Sequence, residues 1–216
     1  MTSDATSRPA GDQTIGQWLD ALGSAAPAPG GGAAAAMSAC LGAALVEMVC
    51  RLTTGKAAFA EHEPLITAIG DAARQLGLDA LSQIDEDTAA FTALMASYRL
   101  PKDTGGQQAA RQGAIRQAIH RAAVVPLGVA ATAAEVIRLA AQLPGRSNPN
   151  VLSDVAVAAS TAAAAIDAAA VNVDVNLVSL TDPDLKAALA AQLAGYVAVA
   201  AEGRQLATEI RERIIG

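Results

Sequence analysis

The chain has 216 residues, a mass of 21.6 kDa, a formal net charge of −6 and a pI near 4.8. Alanine occupies 55 positions against five aromatic ones, and hydrophobic residues make up 52% of the chain against 17% charged. A chain this apolar is not generally disordered. The acidic balance, with no Lys/Arg cluster interleaved with aromatics, disfavours nucleic-acid binding. Alanine is the best helix former and a poor strand former, so a β-sandwich or barrel is close to excluded. Burial has to come from Ala, Leu, Val and Ile on helices that approach closely.

Residues 1–13 read as a polar, frayed tail without the basic region and apolar run of a secretory signal. A first helix is expected after Thr14, a fair N-cap, with Ile15, Trp18, Leu19 and Leu22 on one face and Gly23-Ser24 as its end. Residues 25–32 (AAPAPGGG) break the chain, and a helix follows over about 33–54, closed by Gly55-Lys56. Pro64 suits the first turn of a third helix running to Tyr98. Residues 99–103 interrupt it, and a fourth helix covers about 106–142 with Pro126 as an internal kink. After the loop 143–150 come a fifth helix over about 152–180 and a sixth that starts at Pro183 and reaches about 214. No fixed-period repeat and no shift in composition marks a boundary. The expectation is all-α: a disordered tail over 1–13, then one domain, 14–216, of five or six long helices in a bundle.

Two apolar stretches, 33–52 and 155–180, are long enough to raise a membrane reading. The first contains Glu47 and the second Asp167, Asn172, Asp174 and Asn176, each costly in hydrocarbon, so the protein is placed in solution, in the cytoplasm. Helices of about thirty residues span about 45 Å and leave long apolar faces, which points to self-association. Cys40 and Cys50 lie ten residues apart on one helix and do not face each other, so they read as reduced, buried thiols. With only His62 and His120, no Cys/His metal site is expected.

Several polar interruptions stand out against the alanine. Gly30-Gly31-Gly32 precedes a helix N-terminus, where free N–H groups favour an anion, although a flexible connector is the plainer reading. The fifteen cations are twelve Arg and only three Lys, and Lys56 and Lys102 both sit in helix-breaking contexts. Residues 84–87 (IDED) put three acids in a row. Most such runs are solvated, but Asp87 shares a face with Phe91. In the cluster from Asn148 to Asp154, either Ser153 or Asp154 could simply cap the fifth helix. Asp154 and Asn172 fall on one face, with Asn176 near in angle. Eighteen residues also separate them by about 27 Å, too far to share one reacting carbon. There is no Ser/His/Asp or Cys/His set, no dinucleotide fingerprint and no P-loop. From the residues alone, the chain is a helical oligomer with polar loops and a carboxylate–lysine site, and no substrate is named.

Seven short segments occur in one order: 27–32 (PAPGGG), 52–56 (LTTGK), 84–91 (IDEDTAAF), 100–102 (LPK), 125–127 (VPL), 148–154 (NPNVLSD) and 172–177 (NVDVNL). Together they resemble the cyclodeaminase/cyclohydrolase family, which includes the C-terminal half of formiminotransferase-cyclodeaminase and stand-alone bacterial methenyltetrahydrofolate cyclohydrolases. The resemblance runs from about Thr14 to the end. It implies an all-helical homodimer acting on one-carbon tetrahydrofolates without a metal or other cofactor, with no nucleic-acid or membrane partner.

On that resemblance the catalytic set is Asp154 as acid/base, Asp87 on the pterin edge or the same proton path, and Lys102. Lys56 and Lys102 would meet the anionic glutamate tail or orient a carboxylate. Gly30, Gly31 and Gly32 would let the ligand near the backbone, with Asn150, Ser153, Asn172 and Asn176 completing the binding set. The implied reaction is hydrolysis of 5,10-methenyltetrahydrofolate to 10-formyltetrahydrofolate, favoured because no formiminotransferase half accompanies the domain. The alternatives are 5-formiminotetrahydrofolate cyclodeaminase and a non-catalytic folate-binding or scaffold homodimer. Departures from the family pattern fall at Ala33, at Val155-Ala156 and at Asp174.

Overall fold

The computed structural model describes residues 8–216. Six α-helices account for the architecture: α1 Ile15–Leu22, α2 Gly31–Arg51, α3 Glu63–Tyr98, α4 Gly105–Ala140, α5 Leu152–Ser179 and α6 Pro183–Ile215. Short 3-10 turns lie at Ala10–Asp12, Ala57–His62 and Pro149–Val151, and no strand occurs among the described residues.

Local chemistry explains the helix starts. Thr14 caps α1 in a reciprocal box with Gln17, and Thr104 does the same for α4 with Gln107. Asp182 caps α6 by accepting from the N–H groups of Asp184 and Leu185, and Pro183 sits in the first turn. α4 continues through Pro126 as one helix.

Three expectations need correction. The frayed tail is shorter than 1–13: the Ala10 N–H donates to both carboxylate oxygens of Asp85 on α3, at 3.0 and 3.3 Å, and Ala10 is buried. Residues 1–7 lie outside the described residues. The glycine triplet does not all precede α2: Gly30 is its N-cap, while Gly31 and Gly32 form its first turn. In α1 only Trp18 is buried, whereas Ile15 and Leu19 are exposed. Trp18 lines a small cavity together with Pro29 of the loop leading to Gly30 and with Ile84 and Thr88 of α3.

Consecutive long helices pack antiparallel, and α5 lies against α2, α4 and α6. Roughly half of the buried apolar residues are alanine, so helix axes come close. At the tightest points even alanine is too large. A Cβ on Gly42 would stand 3.2 Å from the Ala158 carbonyl oxygen, and one on Gly203 would stand 2.8 Å from Ile137 Cδ1 and 3.2 Å from the Ala159 carbonyl. By length and hydropathy alone, α2, α4, α5 and α6 are each long and apolar enough to cross a membrane. In the bundle the small-residue faces of α2 and α4 turn inward.

This packing puts the N-terminus of α2 level with Asp87 of α3 and Asn172 of α5, while its C-terminus meets the loop before α5. At that second end, Thr53 and Asn148 fasten the two segments. The Asn148 N–H donates to Thr53 Oγ1 at 3.0 Å, its side-chain amide donates to the Leu52 carbonyl at 3.2 Å, and Thr53 Oγ1 donates to the Val49 carbonyl at 2.7 Å. Both residues are buried. Thr53→Val keeps the shape but strands the Asn148 N–H, at a cost of about 1–3 kcal/mol. In a chain of this size that lowers Tm by about 2–12 °C. An unchanged melting curve would show that the bond contributes nothing.

Burial pushes both free thiols, Cys40 and Cys50, up to about 11, which keeps them protonated.

A carboxylate pocket at the N-terminus of α2

The acidic run on α3 is divided among three tasks, because successive residues turn by about 100°. Asp85 holds the Ala10 segment, Glu86 accepts from Ser82, and Asp87 turns inward. One Asp87 oxygen accepts from the Ala33 N–H at 3.0 Å, so the carboxylate takes one of the free donors of the first turn of α2. Gly32 is what allows this approach: a Cβ there would sit 2.0 Å from Asp87 Oδ1. Burial raises the Asp87 pKa above the ordinary carboxylate range, and the Ala33 hydrogen bond partly opposes that rise.

Around Asp87 is a cavity of about 230 Å³. Gly30, Gly31 and Gly32 form one side, Phe91 and Leu94 of α3 another, and Asn172 and Asn176 of α5 a third. The two amides are held from behind. Asn172 donates to the Ala168 carbonyl at 2.8 Å, and Asn176 donates to the carbonyls of Ala122 and Asn172 at 2.9 and 2.8 Å. Each amide group is thereby fixed, and its carbonyl oxygen stays available as an acceptor. A half-buried carboxylate, two amide oxygens and an aromatic ring form a site for a flat, cationic or hydrogen-bond-donating heterocycle.

The structure therefore brings together Gly30, Gly31, Gly32, Asp87, Asn172 and Asn176. It does not bring the others to them. Asp154 and Ser153 lie in the first turn of α5, at the end of the bundle where Thr53 meets Asn148, and Asn150 lies in the 3-10 turn just before. Lys56 is exposed at that same end, at the start of the turn that precedes α3. Asp154 and Asn172 stand about 27 Å apart along one straight helix, so within one chain Asp154 has no access to a carbon held at Asp87. Lys102 is exposed in the loop between α3 and α4 and does not line the pocket. Sequence reasoning passed over Leu94 and Ala122 and noted Ala33 only as a departure from the family pattern. They act through backbone groups or plain contact, which no side-chain pattern announces.

The three departures occupy different surroundings, and Ala156 of the second one lines a surface cavity with Ser153, away from Asp87. Ala33 serves through its N–H, which any residue but proline supplies. Val155 is fully buried in the core, and Asp174 is exposed, turned away from both asparagines.

Fold and pocket together define an all-helical protein with a half-buried carboxylate set at a helix N-terminus. The sequence pattern of formiminotransferase-cyclodeaminase matches residues 14–195, and the chain belongs to that family. It is 43% identical to a methenyltetrahydrofolate cyclohydrolase from Methylorubrum extorquens, over 80% of this chain and 83% of that one. It is 31% identical to the formimidoyltransferase-cyclodeaminase of Rattus norvegicus, over 81% of this chain, but spans only 32% of that protein. The fold matches a formiminotetrahydrofolate cyclodeaminase from Thermotoga maritima with a TM-score of 0.85 at 24% identity, covering 95% of this chain and 99% of the other.

Proposed function

We propose that the protein hydrolyses 5,10-methenyltetrahydrofolate to 10-formyltetrahydrofolate, with Asp87 as the acid/base group. The observation that carries this reading is the Asp87 carboxylate, fixed by the Ala33 N–H in a small pocket with no other charged side chain in its lining. The methenyl bridge is a delocalised amidinium cation, and a carboxylate beside it favours both its binding and its orientation. Asp87 takes a proton from water as the oxygen adds to the bridge carbon. The tetrahedral adduct then collapses: the bond to N5 breaks, N5 receives a proton from Asp87, and the hydroxyl loses its proton to become the formyl oxygen. One water is consumed and one proton is released. The raised pKa of Asp87 suits a group that must both accept and return a proton.

The 43% identity to a cyclohydrolase, against 31% to the rat cyclodeaminase and 24% to the Thermotoga maritima one, supports hydrolysis over ring closure with loss of ammonia. The proposed reaction takes place in the cytoplasm and uses no metal, nucleotide or other cofactor. One experiment tests it: purified protein is mixed with methenyltetrahydrofolate and the near-ultraviolet methenyl band is followed. Accelerated decay is expected. Accelerated appearance of that band from the formimino compound, without such decay, would select the cyclodeaminase instead, and binding without either change would leave the scaffold reading.

The working form proposed is a homodimer. Val171, Val175 and Val178 make an exposed stripe on α5 beside the two pocket asparagines, and contiguous apolar surface of this kind marks an interface. Sedimentation at low micromolar concentration should give twice the chain mass. A monomer there would refute it.

A further inference from the structure

Resting on the cyclohydrolase reading, we propose that the benzoylglutamate arm of the substrate lies in a second cavity, where Arg116 and His120 of α4 receive its carboxylates. The Asp87 pocket, at about 230 Å³, is smaller than the ~300–1,000 Å³ typical of sites that enclose a whole drug-sized ligand. It holds the pterin end and leaves the arm to be placed. Two helices lead out of it. On α4 the wall passes from Ala122 to Ile119 and Ile115, one face of the helix, and on α5 it passes from Asn176 to Ser179 and Leu180.

The second cavity opens there, at about 410 Å³. Its walls are mainly apolar, from Ile115, Ile119, Leu180 and Leu185, which suits an aromatic ring. The Arg116 guanidinium and the His120 imidazole flank that apolar floor, and Gln112 lies one turn beyond Arg116. Arg116 is six residues from Ala122, about 9 Å along the axis, and Gln112 about 15 Å. One acid also lines the cavity, Asp182, but its carboxylate is engaged at the start of α6 by the N–H groups of Asp184 and Leu185. A guanidinium beside an apolar slot is matched to a carboxylate at the end of an aromatic arm. Lys56, at the opposite end of α2, is not.

The test compares methenyltetrahydrofolate with a pteroate analogue, the N-methylamide of methenyltetrahydropteroate, which keeps the benzamide but carries no carboxylate, on wild type, Arg116→Met and the Arg116→Met/His120→Gln pair. Wild type should show a KM for the pteroate on the order of 10-fold higher than for the folate, the value of a charge-assisted contact. In the variants the folate KM should rise to meet the pteroate KM while kcat is held. Variants that keep the wild-type ratio of the two KM values would overturn the assignment while leaving the cyclohydrolase reading intact. Wild type that turns over neither compound would overturn the cyclohydrolase reading itself, and the assignment with it. Both side chains are exposed, so folding does not confound the comparison.

Discussion

Asp87→Asn is expected to abolish turnover without weakening the fold. Asparagine is nearly isosteric, and its Oδ1 still accepts from the Ala33 N–H, so the pocket keeps its shape. What it loses is the ability to take and return a proton, a contribution of about 10²–10⁴ in rate. The stability prediction has the opposite sign. Burial raises the Asp87 pKa in the folded chain, so the folded state holds its proton more tightly than the unfolded one. The resulting stabilisation is complete below the unfolded carboxylate pKa and is lost as pH rises through the folded value. At neutral pH the ionised carboxylate therefore works against the fold, and a neutral amide relieves it. The Tm of Asp87→Asn at pH 7 should equal or exceed that of wild type. Below the unfolded carboxylate pKa the difference should vanish. In the wild-type rate profile the acidic limb should lie above the ordinary carboxylate range, and the residual rate of the variant should lack that limb. A variant retaining more than a tenth of the turnover would remove Asp87 from the proton path.

Gly32→Ala tests the same site from the backbone. An added Cβ would overlap Asp87 Oδ1 at 2.0 Å, a separation that real atoms do not adopt, so the carboxylate must swing out of the pocket and release the Ala33 N–H. Activity should fall by about 10²-fold or more, because a displacement of about 1 Å at a reacting group is enough for that. Stability changes less, since alanine recovers some helix propensity, about 0.5–1 kcal/mol, against the lost hydrogen bond. At Gly31 the added Cβ would meet Asn172 at 3.5 Å, an ordinary contact, so the effect there should be far smaller. Equal losses at the two positions would mean that the first turn of α2 matters through its flexibility and not through its clearance over Asp87.

The helices were legible because their ends carry local chemistry. Thr14, Pro64 and Pro183 mark starts within a residue or two, and residues 99–103 and 143–150 mark breaks. The box between Thr104 and Gln107 was equally readable and places the start of α4 at Gly105, one residue before the expected start near 106. The site was legible in part. Phe91 four residues after Asp87 correctly turned that acid toward a pocket, and the asparagines of α5 share it. What a one-dimensional pattern does not contain is which end of α2 meets which level of α3 and α5. That choice decides between Asp87 and Asp154, and it depends on close packing at Gly42, Gly70 and Gly203, where the relevant quantity is an absent side chain. Polar residues near Asn148 drew a catalytic reading for the same reason: Thr53, their partner across the bundle, is 95 positions away in sequence.

The alanine and glycine interior has an effect on how this chain tolerates change. In an ordinary core the damaging substitutions remove volume and leave voids. Here little volume is left to remove at about half of the buried apolar positions, so truncation is nearly exhausted as a route to damage. Nearly every accessible substitution at those positions inserts atoms instead, and overpacking of that kind costs about 1–3 kcal/mol per site. Alanine also surrenders no rotamer entropy on burial, which offsets its small apolar area. Random mutation should consequently show a lopsided profile, with single added methyls at helix crossings at least as damaging as single lost methyls are in ordinary cores. For this fold, the scarce resource is space between helices.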